Sequence, residues 1–241
     1  MFNDEAVLKI ELVGTGNLNR HKTVIICLPP KSNLCSCWRQ QRGVLYVPTL
    51  VDGQGTEARL FFAYDMVQIP DMNVWIFSEL THNCLRQINI DSLNVSTFSG
   101  VCDTSKRRNK MSTIEDTRWD MPSVMAYDNM TTQLYVSSNG AIRVIDLGSG
   151  EVKDFVPIVD AIHCMSFSDT GSLLVLFADR LAEFNQDSPS RQSTLIGQRR
   201  YKPLTVSYLS MAFKMIHLTA NLIVIADDAN GLTTFQTGMF G

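Results

Sequence analysis

A chain of 241 residues, 45% apolar and 19% charged, is long enough to bury one sizeable core and requires no second domain. Lysine and arginine (21) are outnumbered by aspartate and glutamate (24), for a net charge of −3, which argues against a chain-wide field for nucleic acid or an anionic membrane and leaves only a local basic patch. No apolar run approaches the roughly 20 residues of a membrane helix. The opening MFNDEAVLKI carries acidic residues where a secretory signal would be basic, so the chain is either cytosolic or a mature or partial piece of a longer secreted one.

In chain order, residues 1–51 are the least regular. Strands are expected over 7–13 and 23–28, the second ended by Pro29-Pro30 because proline cannot donate to a ladder, and over 44–47 before Pro48. Cys35 and Cys37 form a C-x-C pair with no second Cys/His pair at a matching spacing, so no zinc site is expected. Loop thiols, or a bridge from one of them to Cys27, explain the pair.

Residues 52–102 spell a complete antiparallel unit. Strands are expected over 66–69, 74–78, 84–90 and 95–98, separated by the turn chemistry of Pro70-Asp71-Met72-Asn73 and closed by Gly100. Within this stretch Leu60, Val74-Trp75, Asn83, Leu85-Arg86 and the ending VSTFSG (95–100) resemble an NHL repeat. Ser78-Glu79 stands where that pattern has Ala-Asp, and Cys84 where it has the residue before an Ile-Arg-like pair. The resemblance implies a four-stranded β-propeller blade, in a family whose members commonly offer a surface to protein or nucleic-acid partners. It also implies that His82, in the loop where such repeats carry Asn-His, is a turn residue rather than a base.

Residues 103–119 are the most polar stretch, and within them the loop 103–118 holds a basic cluster of Lys106, Arg107, Arg108 and Lys110. Its plain reading is a solvated loop between blades; its functional reading is a site for an acidic partner or for a basic-specific protease. Further units follow over 119–241. Strands are expected over 122–127, 134–138, 141–147 and 151–156, then 162–167, 173–178, 180–184 and 193–196, and finally 208–213, 216–218, 222–226 and 232–235. The apolar runs beginning at Val74, Leu134, Leu173 and Leu222 are 60, 39 and 49 residues apart, a propeller-like period with insertions.

The expected fold is therefore all-β: a β-propeller of four-stranded antiparallel blades occupying 1–241 as a single domain, with about five blades counted, the first of them irregular. If the full ring holds six or seven, remaining blades of a longer protein or another chain complete it. Cys84 opens the third strand of the clearest blade and Cys102 follows the fourth, so a disulfide between them is expected, with two thiols as the alternative. Asn94-Val95-Ser96 and Asn129-Met130-Thr131 are glycosylation triplets at strand turns. With the cysteine pair they favour an extracellular or lumenal origin over a cytoplasmic one.

No catalytic glycine, serine or metal motif is present, and no cofactor is expected. Arg86 and Arg143 occupy matching third-strand positions, where arginine either serves the structure by stacking on a neighbouring blade or meets a partner, and both are candidate binding residues. The function expected first is a non-catalytic module presenting loops to a protein partner, with Lys106, Arg107, Arg108 and Lys110 as the best surface. The alternative is a propeller hydrolase or lyase with a channel metal, which requires His163 and His217 to converge with acids such as Asp160 or Asp227. An RNA-binding reading is disfavoured by the net charge.

Overall fold

The computed structural model describes residues 50–61, 63–104, 111–177 and 180–195, with Thr56 by backbone alone, and the backbone of strands at 7–12, 22–27, 196–197, 212–219, 222–227 and 231–236. The chain forms two compact units. The first comprises Met1–Lys110 and Glu115–Met121, the second Met111–Ile114 and Pro122–Gly241.

In the first unit, β1 (Val7–Leu12) and β2 (Lys22–Cys27) pair antiparallel. The expected strand over 44–47 lies outside the described residues. A second sheet contains β3 (Gly53–Gln54), β4 (Ala63–Ile69), β5 (Val74–Glu79), β6 (Cys84–Asn89) and β7 (Asn94–Ser99), in the spatial order β3-β7-β6-β5-β4. The last four are the meander read from the sequence. The two-residue β3 is an addition, pairing Gly53 with Val95 and Gln54 with Asn94 along the outer edge.

The turns of this meander follow from asparagine. Short 3-10 turns at Pro70–Met72 and Leu80–His82 end on Asn73 and Asn83, which take left-handed backbone at φ 53° and 55°. Asparagine tolerates that conformation far better than other side chains with a Cβ. Phe77, Ile88, Val95 and Ala58 form the buried core of the sheet. Full burial of each large apolar side chain contributes about 1.5–3 kcal/mol.

The second unit repeats the meander. One sheet runs β8 (Met125–Asp128), β9 (Gln133–Ser138), β10 (Ala141–Asp146) and β11 (Val152–Pro157), and the next runs β12 (Ile162–Phe167), β13 (Leu173–Phe177), β14 (Arg180–Asn185) and β15 (Ser188–Gly197). A third has β16 (Ala212–Thr219), β17 (Leu222–Asp227) and β18 (Gly231–Gln236). The first strands β8, β12 and β16 are neighbours, with β12 beside both of the others. Successive antiparallel meanders with their first strands side by side are the blades of a β-propeller. The four apolar runs that set the period are the second strands β5, β9, β13 and β17.

Two details depart from the sequence reading. Residues 185–191 were expected as a polar loop before a short strand, but β15 takes in Ser188 to Gly197, with bulges against β14. Its outer-edge position accommodates Pro189 and Arg191 because no further strand needs their backbone groups. The two strands expected over 208–213 and 216–218 are, within the described residues, the single β16.

Between the β8–β11 and β12–β15 sheets lies the core of the second unit, including Tyr135, Ile142, Val144, Leu173, Val175, Phe177 and Phe184. Tyr135 meets Phe155 and Phe167 edge-on, with ring centroids 5.0 and 5.1 Å apart. Burial, reinforced by the charge of Asp128, pushes the Tyr135 phenol up to about 12.

Asp128 closes the first turn of this unit. Its carboxylate accepts from the Met130 amide at 2.9 Å, the Thr131 hydroxyl at 2.6 Å and the Gln186 amide at 2.8 Å, while Gln186 also donates to the Gly171 carbonyl at 2.7 Å. Burial acts to raise this carboxyl, but the hydrogen bonds from Thr131, Gln186 and Met130 outweigh it, and the net shift is downward. A carboxylate depressed in the folded state adds stability above its unfolded value and loses it as pH falls through the folded one. Asp128→Asn is therefore expected to destabilise by about 1–3 kcal/mol at neutral pH. In urea unfolding repeated from pH 7 down to pH 3, the gap between wild type and variant should narrow.

Candidate functional site

In the first unit, the chain just beyond β7 and the chain at Trp119–Met121 are held by one clasp. Cys84 and Cys102 are joined as a disulfide with Cα atoms 5.0 Å apart, which ties the start of β6 to the chain just beyond β7. The Asp103 amide donates to the His82 carbonyl at 2.9 Å. Asn83, set by its left-handed backbone, then grips both stretches. Its Nδ2 donates to the Asp103 carbonyl at 3.0 Å, and its Oδ1 accepts from the Met121 amide at 3.0 Å.

Trp119 fills the space between them. It is fully buried and its indole Nε1 donates to the Ser99 hydroxyl at 2.9 Å. Gly100 makes room for it. That residue has φ +88°, and a Cβ there would lie 2.7 Å from Trp119 Cδ1, so glycine is required on both backbone and steric grounds. His82 completes the floor, buried and edge-on to Phe61 at 5.1 Å. It sits at the end of a turn, as its place in the repeat implied.

The basic cluster Lys106, Arg107, Arg108 and Lys110 lies outside the described residues. In the second unit, Ser112 and Ile114 bond to Val152 and Gly150 at 2.8 and 2.9 Å, and Thr113 bridges Glu151 along the edge of β11. Removing the disulfide by Cys84→Ser with Cys102→Ser is expected to lower stability by about 3 kcal/mol, the chain-entropy value for a loop of this length. Urea midpoints with and without reductant test it: reductant should move the wild type to the variant's midpoint and leave the variant unmoved.

The structure places Arg86 and Arg143 at equivalent positions, each the third residue of a third strand and each just after a β-bulge. Both are buried. Arg86 donates to the carbonyls of Arg59 and Val51 at 2.7 and 2.8 Å and to Asp52 at 2.8 Å, and lies 4.0 Å from the wholly buried Glu79. Asp52 in turn accepts from the Thr97 amide at 3.2 Å. Arg143 donates through Nε to Asp154, directly opposite on β11, at 3.3 Å. Both guanidiniums are thus engaged by groups of the fold itself. Nothing in the sequence marked Glu79, Asp52 or Trp119 as their companions or as parts of the clasp, although a lone tryptophan in the most polar stretch is in retrospect the available signal.

Asn94 opens β7 and Asn129 lies in the β8–β9 turn, and both are exposed. Of the groups required by the metal alternative, Asp160 is paired with Arg180 at 2.6 Å, and the side chains of His217 and Asp227 lie outside the described residues. Among the described residues no three histidine, cysteine or acidic side chains gather as a metal site, and no helix is long and apolar enough to cross a membrane.

No protein-family model and no curated protein matches the chain. Solved structures to which it is similar include YCF48 bound to D1 peptide, at 13% identity and a TM-score of 0.46 over 70% of this chain and 48% of that one. Selenomethionine-substituted virginiamycin B lyase from Staphylococcus aureus is similar at 14% identity and 0.45, over 72% and 55%. Saccharomyces cerevisiae Sqt1 is similar at 14% and 0.46, over 72% and 45%. The chain thus spans about half the length of these solved proteins. Likeness at this level carries nothing about activity or partner.

Proposed function

We propose that this chain is a non-catalytic protein-interaction module whose NHL-like first unit offers the basic loop of Lys106, Arg107, Arg108 and Lys110 to an acidic protein partner. The observation that supports the reading is the clasp. The chain that leads into the basic cluster is tied down by the Cys84–Cys102 disulfide and by the bonds of Asp103 to His82 and Asn83, so its base is already ordered. Ordering a mobile segment on binding costs about 0.5–1.5 kcal/mol per immobilised side chain, and a fixed base reduces how many must be ordered. The four basic side chains supply charge complementarity, which sets partner choice and association rate more than raw affinity. Placement in the NHL family, an extracellular or lumenal setting, and completion of the ring by further blades or another chain belong to the same proposal.

The test is an array of acidic and basic peptides probed with the wild-type chain and with a variant carrying Lys106→Glu, Arg107→Glu, Arg108→Glu and Lys110→Glu. Wild type should bind acidic members, more weakly as salt rises, and the charge-reversed form should lose at least about ten-fold, or 1.4 kcal/mol. Equal binding by both forms, or no acidic preference, overturns the reading.

A further inference from the structure

We infer that Asn94 and Asn129 are N-glycan acceptors, and that the chain matures in an oxidising secretory lumen. The triplets alone are weak evidence, because N-x-S/T arises often by chance. The structure adds a contrast among asparagines. Asn73, Asn83, Asn89 and Asn185 all commit their side chains to hydrogen bonds in or beside turns. Asn94 and Asn129 are exposed, and among the described residues neither side chain takes part in any hydrogen bond or ion pair. Among the described residues, the two asparagines followed by the acceptor pattern thus differ from Asn73, Asn83, Asn89 and Asn185 in leaving their side-chain amides uncommitted.

Their placement agrees with this assignment. Within the first unit, Asn94 lies at the β6–β7 turn, the end of the sheet opposite Cys84 and Cys102. Within the second, Asn129 lies in the β8–β9 turn, at the end where β10 also turns into β11. A bulky, hydrated glycan at either point meets solvent rather than a packed face. The disulfide is an independent pointer to the compartment, since such bonds persist in secretory and extracellular settings and are rare where thiols are kept reduced.

The transfer needs a polyprenyl-diphosphate-linked oligosaccharide as co-reactant. The asparagine Nδ2 displaces the diphosphate at the anomeric carbon, so that a C–O bond breaks and a C–N bond forms. One amide proton passes to a base, and polyprenyl diphosphate departs, with no change in oxidation state.

The deciding measurement is made on the protein isolated from its own cells. Peptides are treated with an amide-cleaving N-glycosidase in heavy-oxygen water and examined by mass spectrometry. Both Asn94 and Asn129 should appear as labelled aspartate, with Cys84 and Cys102 recovered as a disulfide. Unmodified asparagine at both positions, or Cys84 and Cys102 recovered as thiols, overturns the inference. Translation into microsomes behind a signal sequence gives a readout that does not depend on folding. Wild type should show two glycosidase-sensitive mobility steps, Asn94→Gln and Asn129→Gln one each, and the double variant none; the absence of any step in wild type is a second overturning result.

Discussion

Replacing Trp119 by alanine is expected to destabilise the first unit by about 3–5 kcal/mol, the usual range for emptying a buried tryptophan site. The indole is fully buried and its Nε1 bonds to the Ser99 hydroxyl, so alanine leaves both a cavity and a buried hydroxyl without that donor. Gly100→Ala provides the partner experiment. The added Cβ would sit 2.7 Å from Trp119 Cδ1 on a backbone of φ +88°, so this variant is strained for two reasons. In the Trp119→Ala background the clash with the indole is gone, while the backbone strain and a tight 3.3 Å approach to the Asn83 carbonyl oxygen persist, so the second substitution should cost less than it does alone. A double-mutant cycle from urea denaturation measures that coupling. Strictly additive effects would show that the two residues do not pack as described.

Arg86→Ala is the second large effect expected, also about 3–5 kcal/mol, because it removes a buried guanidinium that bonds to Val51, Arg59 and Asp52 and lies beside the buried Glu79 carboxylate. Arg86 holds two carbonyls and Asp52 together while lying 4.0 Å from Glu79, which the Phe61 amide also approaches at 3.1 Å. Arg86→Lys should recover little, since one ammonium cannot span acceptors arranged for a planar fork. Neutralising the acid with Glu79→Gln should recover part of the loss in the Arg86→Ala background, although alone it destabilises. Chemical denaturation of the four forms checks both signs. A stability for Arg86→Ala within 1 kcal/mol of wild type, well under the expected loss, would mean that the guanidinium is not the tie between Val51–Arg59 and the sheet.

Much of this architecture was legible because strand, turn and period agree locally. Val74, Leu134, Leu173 and Leu222 open apolar runs after turn residues, and all four runs are second strands; in the three whose side chains are described the strand is largely buried on both faces, which demands such a run. Cys84 and Cys102 were legible as a pair because they flank neighbouring strands of one meander. The first part of edge strand β15, before the expected stretch 193–196, was not, since its polar, proline-bearing start resembles a loop and only edge position makes it tolerable. The clasp was also hidden. Trp119 reaches Ser99 and Gly100 across a separation that no local pattern encodes, and Asn83 looks like any turn asparagine until Asp103 and Met121 converge on it. Arg86 and Arg143 were recognised as equivalent, but the burial that decides their use depends on partners as remote as Asp52.

The account rests on Asn83 holding both Asp103 and Met121, and amide hydrogen exchange of the Asn83→Gly variant tests this most directly. Glycine keeps the left-handed backbone of φ 55° and removes only the side chain. Loss of its hydrogen bond, worth about 1 kcal/mol, should speed exchange at the Met121 amide by roughly five-fold, while amides of β5 and β6 keep their protection. Unchanged exchange at Met121 would contradict the clasp, and with it the reason for regarding the basic loop as offered from an ordered base.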